Sequence, residues 1–137
     1  MTTAKRFEDL EVWQREKDLT NLVYKYSTDG VFSRDFGLRD QMRRASVSIM
    51  SNIAEGFESQ TQAMFIRYLG IAKGSSGELR AQPYIARDQG YISNEDFETM
   101  FSSAEICSKQ LTRFIQYLET QPNAKRVREN GAEYNVE

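Results

Sequence analysis

Glu55, Glu78 and Cys107 are side chains whose types could do chemistry, and Arg39, Arg43, Arg44 and Arg67 could hold phosphate. Two carboxylates on facing helices can share acid–base work or a metal, and a thiolate is a nucleophile. Each needs a partner that this chain lacks. There is no histidine among the 137 residues. That removes Ser-His and Cys-His nucleophile activation and nearly all ordinary zinc and haem sites. It also removes the Glu-x-x-His pairs that di-iron carboxylate bundles require. Carboxylates are common on helices, and Cys107 beside an apolar seam reads as a small core residue. The sequence therefore predicts no catalytic residue, no metal and no cofactor.

The arginines are a local feature. Eighteen basic against twenty acidic residues give a formal charge of -2, so the whole molecule carries no strong field for nucleic acid or a membrane surface. Charged residues on exposed helix faces usually only solvate the protein. The sharper reading is a nucleic-acid patch made of Arg39, Arg43, Arg44 and Arg67 on the second and third helices.

The elements that must position these groups follow from length and period. With 39% hydrophobic and 28% charged residues, the chain has enough apolar material for one folded domain over residues 1–120. Residues 121–137, with Pro122, mixed charges and no apolar period, read as a disordered C-terminal tail. The one cysteine forms no internal disulfide, no secretory leader is visible, and no apolar run approaches the roughly 20 residues that cross a bilayer. A cytoplasmic location without membrane contact is expected. Four segments show helical spacing: about Phe7 to Ser27, Ser33 or Gly37 to Phe57, Ser59 or Thr61 to Gln89, and Ser93 to about Thr120. Short breaks between them force neighbours to run antiparallel. The predicted fold is all-α, an up-down-up-down antiparallel four-helix bundle.

Three features exceed what a bundle needs. The second helix is apolar over roughly 180–200°, where a surface helix needs about 100°. Either it is the most buried of the four, or Val47, Met50, Ala54 and Phe57 meet another subunit. On the third helix Gly70, Gly74 and Gly77 line the face opposite its apolar seam. Interior glycine costs about 1 kcal/mol relative to alanine, so close approach of a neighbouring subunit is the expected gain; the bland alternative is a helix that kinks toward Pro83. Finally, Asn52 and Glu55 with Ser75 and Glu78 could form a polar network that fixes helix register, with a small-molecule or metal pocket as the alternative.

Two stretches carry a family resemblance. Phe7-Glu8-Asp9-Leu10-Glu11-Val12-Trp13-Gln14 is one; Phe36 to Ala45, running into Ser48-Ile49-Met50-Ser51-Asn52-Ile53-Ala54-Glu55-Gly56-Phe57, is the other. Together with Phe65-Ile66-Arg67-Tyr68-Leu69, Gly74-Ser75 and Gly90-Tyr91-Ile92-Ser93, they resemble the four-helix-bundle proteins encoded in intervening sequences of bacterial 23S rRNA genes. The resemblance implies a non-enzymatic bundle that assembles with itself into a ring, a homopentamer by the family's example, and an association with RNA or an RNA-containing complex. A similar fold serves as the accessory protein of diversity-generating retroelements, where a basic barrel engages reverse transcriptase and nucleic acid. This chain departs from that pattern in being acidic overall, in carrying Met50 where the family usually has proline, and in Ser76-Gly77 where it is leucine-rich.

Overall fold

The computed structural model describes residues 3–122 and 134–135. Four helices run α1 (Glu11–Ser27), α2 (Phe36–Glu58), α3 (Gln62–Asp88) and α4 (Asn94–Glu119), with single 3-10 turns at Phe7–Asp9 and Phe32–Arg34. Each helix packs on its sequence neighbours and α1 closes against α4, which makes an all-α up-down-up-down bundle. Apart from a two-residue antiparallel pair, Thr3–Ala4 with Tyr134–Asn135, no strand occurs among the described residues. The rest of the segment expected as a tail, residues 123–133 and 136–137, lies outside the described residues.

The starts of α2, α3 and α4 are fixed by side-chain caps. Asp35 Oδ1 accepts the amide of Leu38 at 3.1 Å, Thr61 Oγ1 that of Met64 at 3.1 Å, and Ser93 Oγ that of Asp96 at 3.0 Å. Each satisfies one of the amides a helix leaves free at its N-terminus. Thr61 and Ser93 stand where the sequence puts them, whereas α2 starts on Asp35. Gly90, with φ of 77°, supplies the left-handed residue that ends α3 and its turn. The first helix is the main difference. It begins at Glu11 because Leu10 is extended (ψ 125°) and Phe7–Asp9 forms a separate turn. That turn is held back onto α1 by Phe7 packing edge-on against Trp13 at 5.1 Å, and by Gln14 Nε2 donating to the Glu8 carbonyl.

The four-and-three spacing marks Leu38, Met42, Ala45, Ile49, Asn52 and Gly56 as the α2 seam and Phe65, Leu69, Ala72, Ser76 and Leu79 as that of α3; all are buried except Asn52, which is half-buried. The tightest point is Gly56. A Cβ there would lie 2.8 Å from Phe65 Cδ1 and 2.9 Å from Tyr68 Cβ, so glycine is what lets α3 come this close. The ring it admits, Phe65, meets Phe57 (6.0 Å between centroids) and Phe114 (5.3 Å) edge-on, joining α2, α3 and α4. Gln62, buried at the start of α3, donates to the Leu118 carbonyl at 2.6 Å and ties the same end of the bundle to α4. Gly56→Ala is expected to cost about 1–3 kcal/mol in urea unfolding, because the atoms in the way are a packed ring and a Cβ.

Candidate functional site

The α2–α3 pair fixes where the outer surface lies. Ser48 Oγ and Ser75 Oγ are 3.1 Å apart, and Asn52 Nδ2 donates to the Ser48 carbonyl and hydroxyl. A small hydroxyl–amide set thus bridges the seam. Glu55 and Glu78 do not join it; both are exposed. The residues that precede the two serines, Val47 and Gly74, are likewise exposed, one helical step (about 100°) outward from that contact.

Val47 and the glycine ridge therefore lie on the outside of the same seam. Gly70 and Gly74 are exposed and Gly77 half-buried, and a Cβ at any of the three would meet nothing within 4 Å. Ile71, Met64 and Ile85 are 47%, 44% and 49% exposed on the same helix. α3 runs unbroken through Pro83 to Asp88. The remaining members of the expected α2 face are placed elsewhere. Phe57 is a core residue, 2% exposed, and this corrects its assignment to an external surface: the Phe65 ring claims it. Met50 and Ala54 are half-buried. They fall on the α2 stripe that begins at Arg43, which bonds to α1, so part of the broad apolar arc is covered inside the chain by α1 and the Phe7–Asp9 turn.

The four arginines do not form one patch. Arg43 donates to Ser27 Oγ (2.9 Å) and to the Ser27 carbonyl (3.2 Å) and lies 4.5 Å over the Tyr24 ring. Arg39 donates to the Ser33 carbonyl, pairs with Asp40 at 2.9 Å and covers Phe36. These two guanidinium groups hold the α1–α2 connection in place. Arg44 and Arg67 are exposed. Because Ser48 stands level with Ser75, Arg44 stands level with about position 79, twelve residues from Arg67, or roughly 18 Å along the axis.

The most unusual polar groups lie on the α1–α4 seam, and sequence reading missed them. Glu16 has no exposed surface, and among the described residues neither carboxyl oxygen has an N–H or O–H donor in reach. Its polar neighbour is the buried thiol of Cys107. Burial pushes the Glu16 carboxyl up to about 8, opposed by a hydrogen bond with the Cys107 thiol. Burial, reinforced by Glu16, also pushes the thiol far up. A thiol held in its protonated form is a poor nucleophile, so Cys107 is not built for attack. Glu16 occupies the open slot in the series Val12, Leu19, Val23, at spacings of four, three and four. A carboxylate in such a slot was the available signal.

At the loop end, Tyr91 OH donates to Asp35 Oδ2 at 3.0 Å while its ring stacks on Phe32. The hydrogen bond to Asp35 raises the tyrosine hydroxyl above its ordinary value. Asp35 thus caps α2 and anchors the α3–α4 connection at once. Among the described residues no group of three or more Cys, Asp or Glu is placed to hold a metal ion, and no helix is long and apolar enough to cross a membrane.

These features define a four-helix bundle whose unusual surface is the outside of α2 and α3. The family model for 23S rRNA-intervening sequence proteins matches residues 8–113, and the chain belongs to that family. A search of curated proteins gave no match. Among solved structures, the chain is similar to a protein of unknown function from the S23 ribosomal protein family of Bacteroides thetaiotaomicron VPI-5482. The TM-score is 0.71 at 24% identity, covering 77% of this chain and 98% of the other. That likeness shows the shared fold.

The arginine geometry has a measurable consequence. Arg43→Ala removes two hydrogen bonds and a ring contact and is expected to destabilise the bundle by about 1–3 kcal/mol. Arg44→Ala should stay within about 0.5 kcal/mol in the same denaturation experiment.

Proposed function

We propose that the protein is a cytoplasmic, non-enzymatic scaffold that assembles with copies of itself through the outer face of α2 and α3. One observation carries this reading: Gly70, Gly74 and Gly77 have open space where a side chain would sit. Nothing among the described residues requires glycine there, yet each glycine costs the helix about 1 kcal/mol relative to alanine. The return comes from a surface that lets another backbone approach closely. Ile71, Met64, Ile85 and Val47 supply apolar contact around that ridge. The resemblance stated from the sequence supports a closed ring, with a pentamer as the expected count.

RNA binding is the second reading. It is favoured by the exposure of Arg44 and Arg67 and by the family's description as 23S rRNA-intervening sequence proteins. Phosphate contacts from these two side chains alone would give a shallow salt dependence, with a log–log slope of about -2 or less steep.

Light scattering on the purified protein tests the first reading directly. A defined oligomer is expected at micromolar concentration, and Ile71→Glu with Gly74→Glu is expected to reduce it to folded monomer. A monodisperse wild-type monomer would overturn the assembly. Gly74→Ala separates the inner and outer roles of the ridge. It should raise monomer stability by up to about 1 kcal/mol while weakening the oligomer.

A further inference from the structure

Helix α1 buries an unusual inner stripe: of its buried residues Val12, Glu16, Leu19, Thr20, Val23 and Ser27, half are polar. Thr20 and Ser27 return their hydroxyl protons to carbonyls of their own helix, those of Glu16 and Val23. Such back-bonding leaves them nearly neutral toward the core. The Glu16 carboxyl has no such outlet. It is sealed from water between α1 and α4, with the Cys107 thiol against it and, among the described residues, no N–H or O–H donor at either oxygen. A buried carboxylate without donors is costly, while a buried carboxylic acid is tolerated.

We propose that Glu16 is a proton-operated latch between α1 and α4. With its proton the carboxyl is an uncharged core group lying against Cys107, and α1 stays seated. When the seam opens, water reaches the group, the proton passes to solvent, and the carboxylate left behind cannot return to the core without recovering it. The groups that face Glu16 do not offset its charge. From α4 it meets Cys107, whose thiol keeps its own proton. On α1, Arg15 acts on Cys107 and is paired with Glu11 at 3.7 Å. From α2, Arg43 faces α1 but is bonded to Ser27, eleven residues along α1 from Glu16, and the residues beyond it on that side, Ser46, Met50, Ile53, Ala54 and Phe57, are uncharged. Of the turns packed on α1, Phe7–Asp9 carries Glu8 and Asp9, with Asp9 held by Arg6 and the Lys5 amide, and Phe32–Arg34 carries the exposed Arg34.

The sign follows from linkage. The ordinary carboxyl value is 4.5, and the folded protein raises that of Glu16 to about 8. The folded state therefore holds the proton more tightly than the open state. The latch is fully closed below about pH 4.5, weakens progressively as pH rises toward 8, and weakens no further above it.

Two measurements on the whole chain decide the matter. In the wild type, the Glu16 carboxyl carbon followed by NMR is expected to titrate with a midpoint near 8. A midpoint near the ordinary 4.5 overturns the latch. Amide hydrogen exchange then reads the release. Between about pH 6 and 8, exchange of the α1 amides should climb by up to about a hundredfold per pH unit. About tenfold of this is base catalysis and up to tenfold is the latch. Glu16→Gln should return α1 to about tenfold. An unchanged slope in that variant, or the same steep slope in α2 and α3 of the wild type, overturns release of α1. If Glu16→Gln does not fold, the wild-type titration and the comparison between helices still decide.

Discussion

The close approach of α2 and α3 at Gly56 sets the rest of the bundle. With no Cβ at this position, the Phe65 ring lies against the α2 backbone and reaches both Phe57 and Phe114. A ring wedged between backbone and two other rings has one position along the axis, so it fixes the register of α3 on α2. Register at Gly56 determines what meets further along. Eight residues toward the N-terminus of α2, Ser48 arrives opposite Ser75, and their hydroxyls come within hydrogen-bonding distance. The polar contact is weak by itself, but a slip of one residue would separate it and drive the Phe65 ring into backbone. Apolar wedge and polar marker thus specify the same alignment, and agreement between levels of this kind gives a sequence one structure.

The same alignment explains the outer face. With Ser48 and Ser75 turned toward each other across the seam, the residues before them, Val47 and Gly74, turn outward together. Two features on separate helices become one surface, and its centre is backbone. Gly56 and Gly74 therefore stand for opposite uses of the same residue. At Gly56 the missing side chain is filled by a neighbour from the chain itself; at Gly74 none of the described residues fills it. Since glycine weakens a helix in either place, the unfilled positions are the ones that need an explanation from outside the chain.

Much of the fold was legible because helical period and capping are local. The seams of α2 and α3 follow from spacing, and Thr61 and Ser93 announce themselves as hydroxyls just before an apolar repeat. The errors came from tertiary choices. Phe7 continues the apolar rhythm of α1, yet Leu10 turns extended so that Phe7 can fold back on Trp13, and periodicity does not register a reversal. By angle alone Phe57 lies beside Met50 and Ala54, which points it to an outer face. The ring of Phe65, arriving from another helix, made it core. Arg39 and Arg43 looked like a basic surface because a sequence does not show that carbonyls of the preceding connection will occupy them. At Glu16 charge argues for exposure, yet the heptad slot prevails over residue type.

That last case bears on how the bundle distributes stability. α2 and α3 meet mainly through rings, aliphatic side chains and a glycine contact, with the Ser48–Ser75 hydroxyl pair beside them, whereas α1 faces its neighbours with a carboxyl and two hydroxyls among its six buried residues. Apolar burial is roughly proportional to area, so α1 contributes less to holding the bundle than its length suggests. Its ends compensate. Arg43 binds the Ser27 carbonyl at one end, and the Phe7–Asp9 turn folds onto the other. The middle of α1 is therefore clamped at both extremities over a weakly apolar centre, and the protonation of one carboxyl there can change the balance without disturbing the α2–α3 pair that carries the outer face.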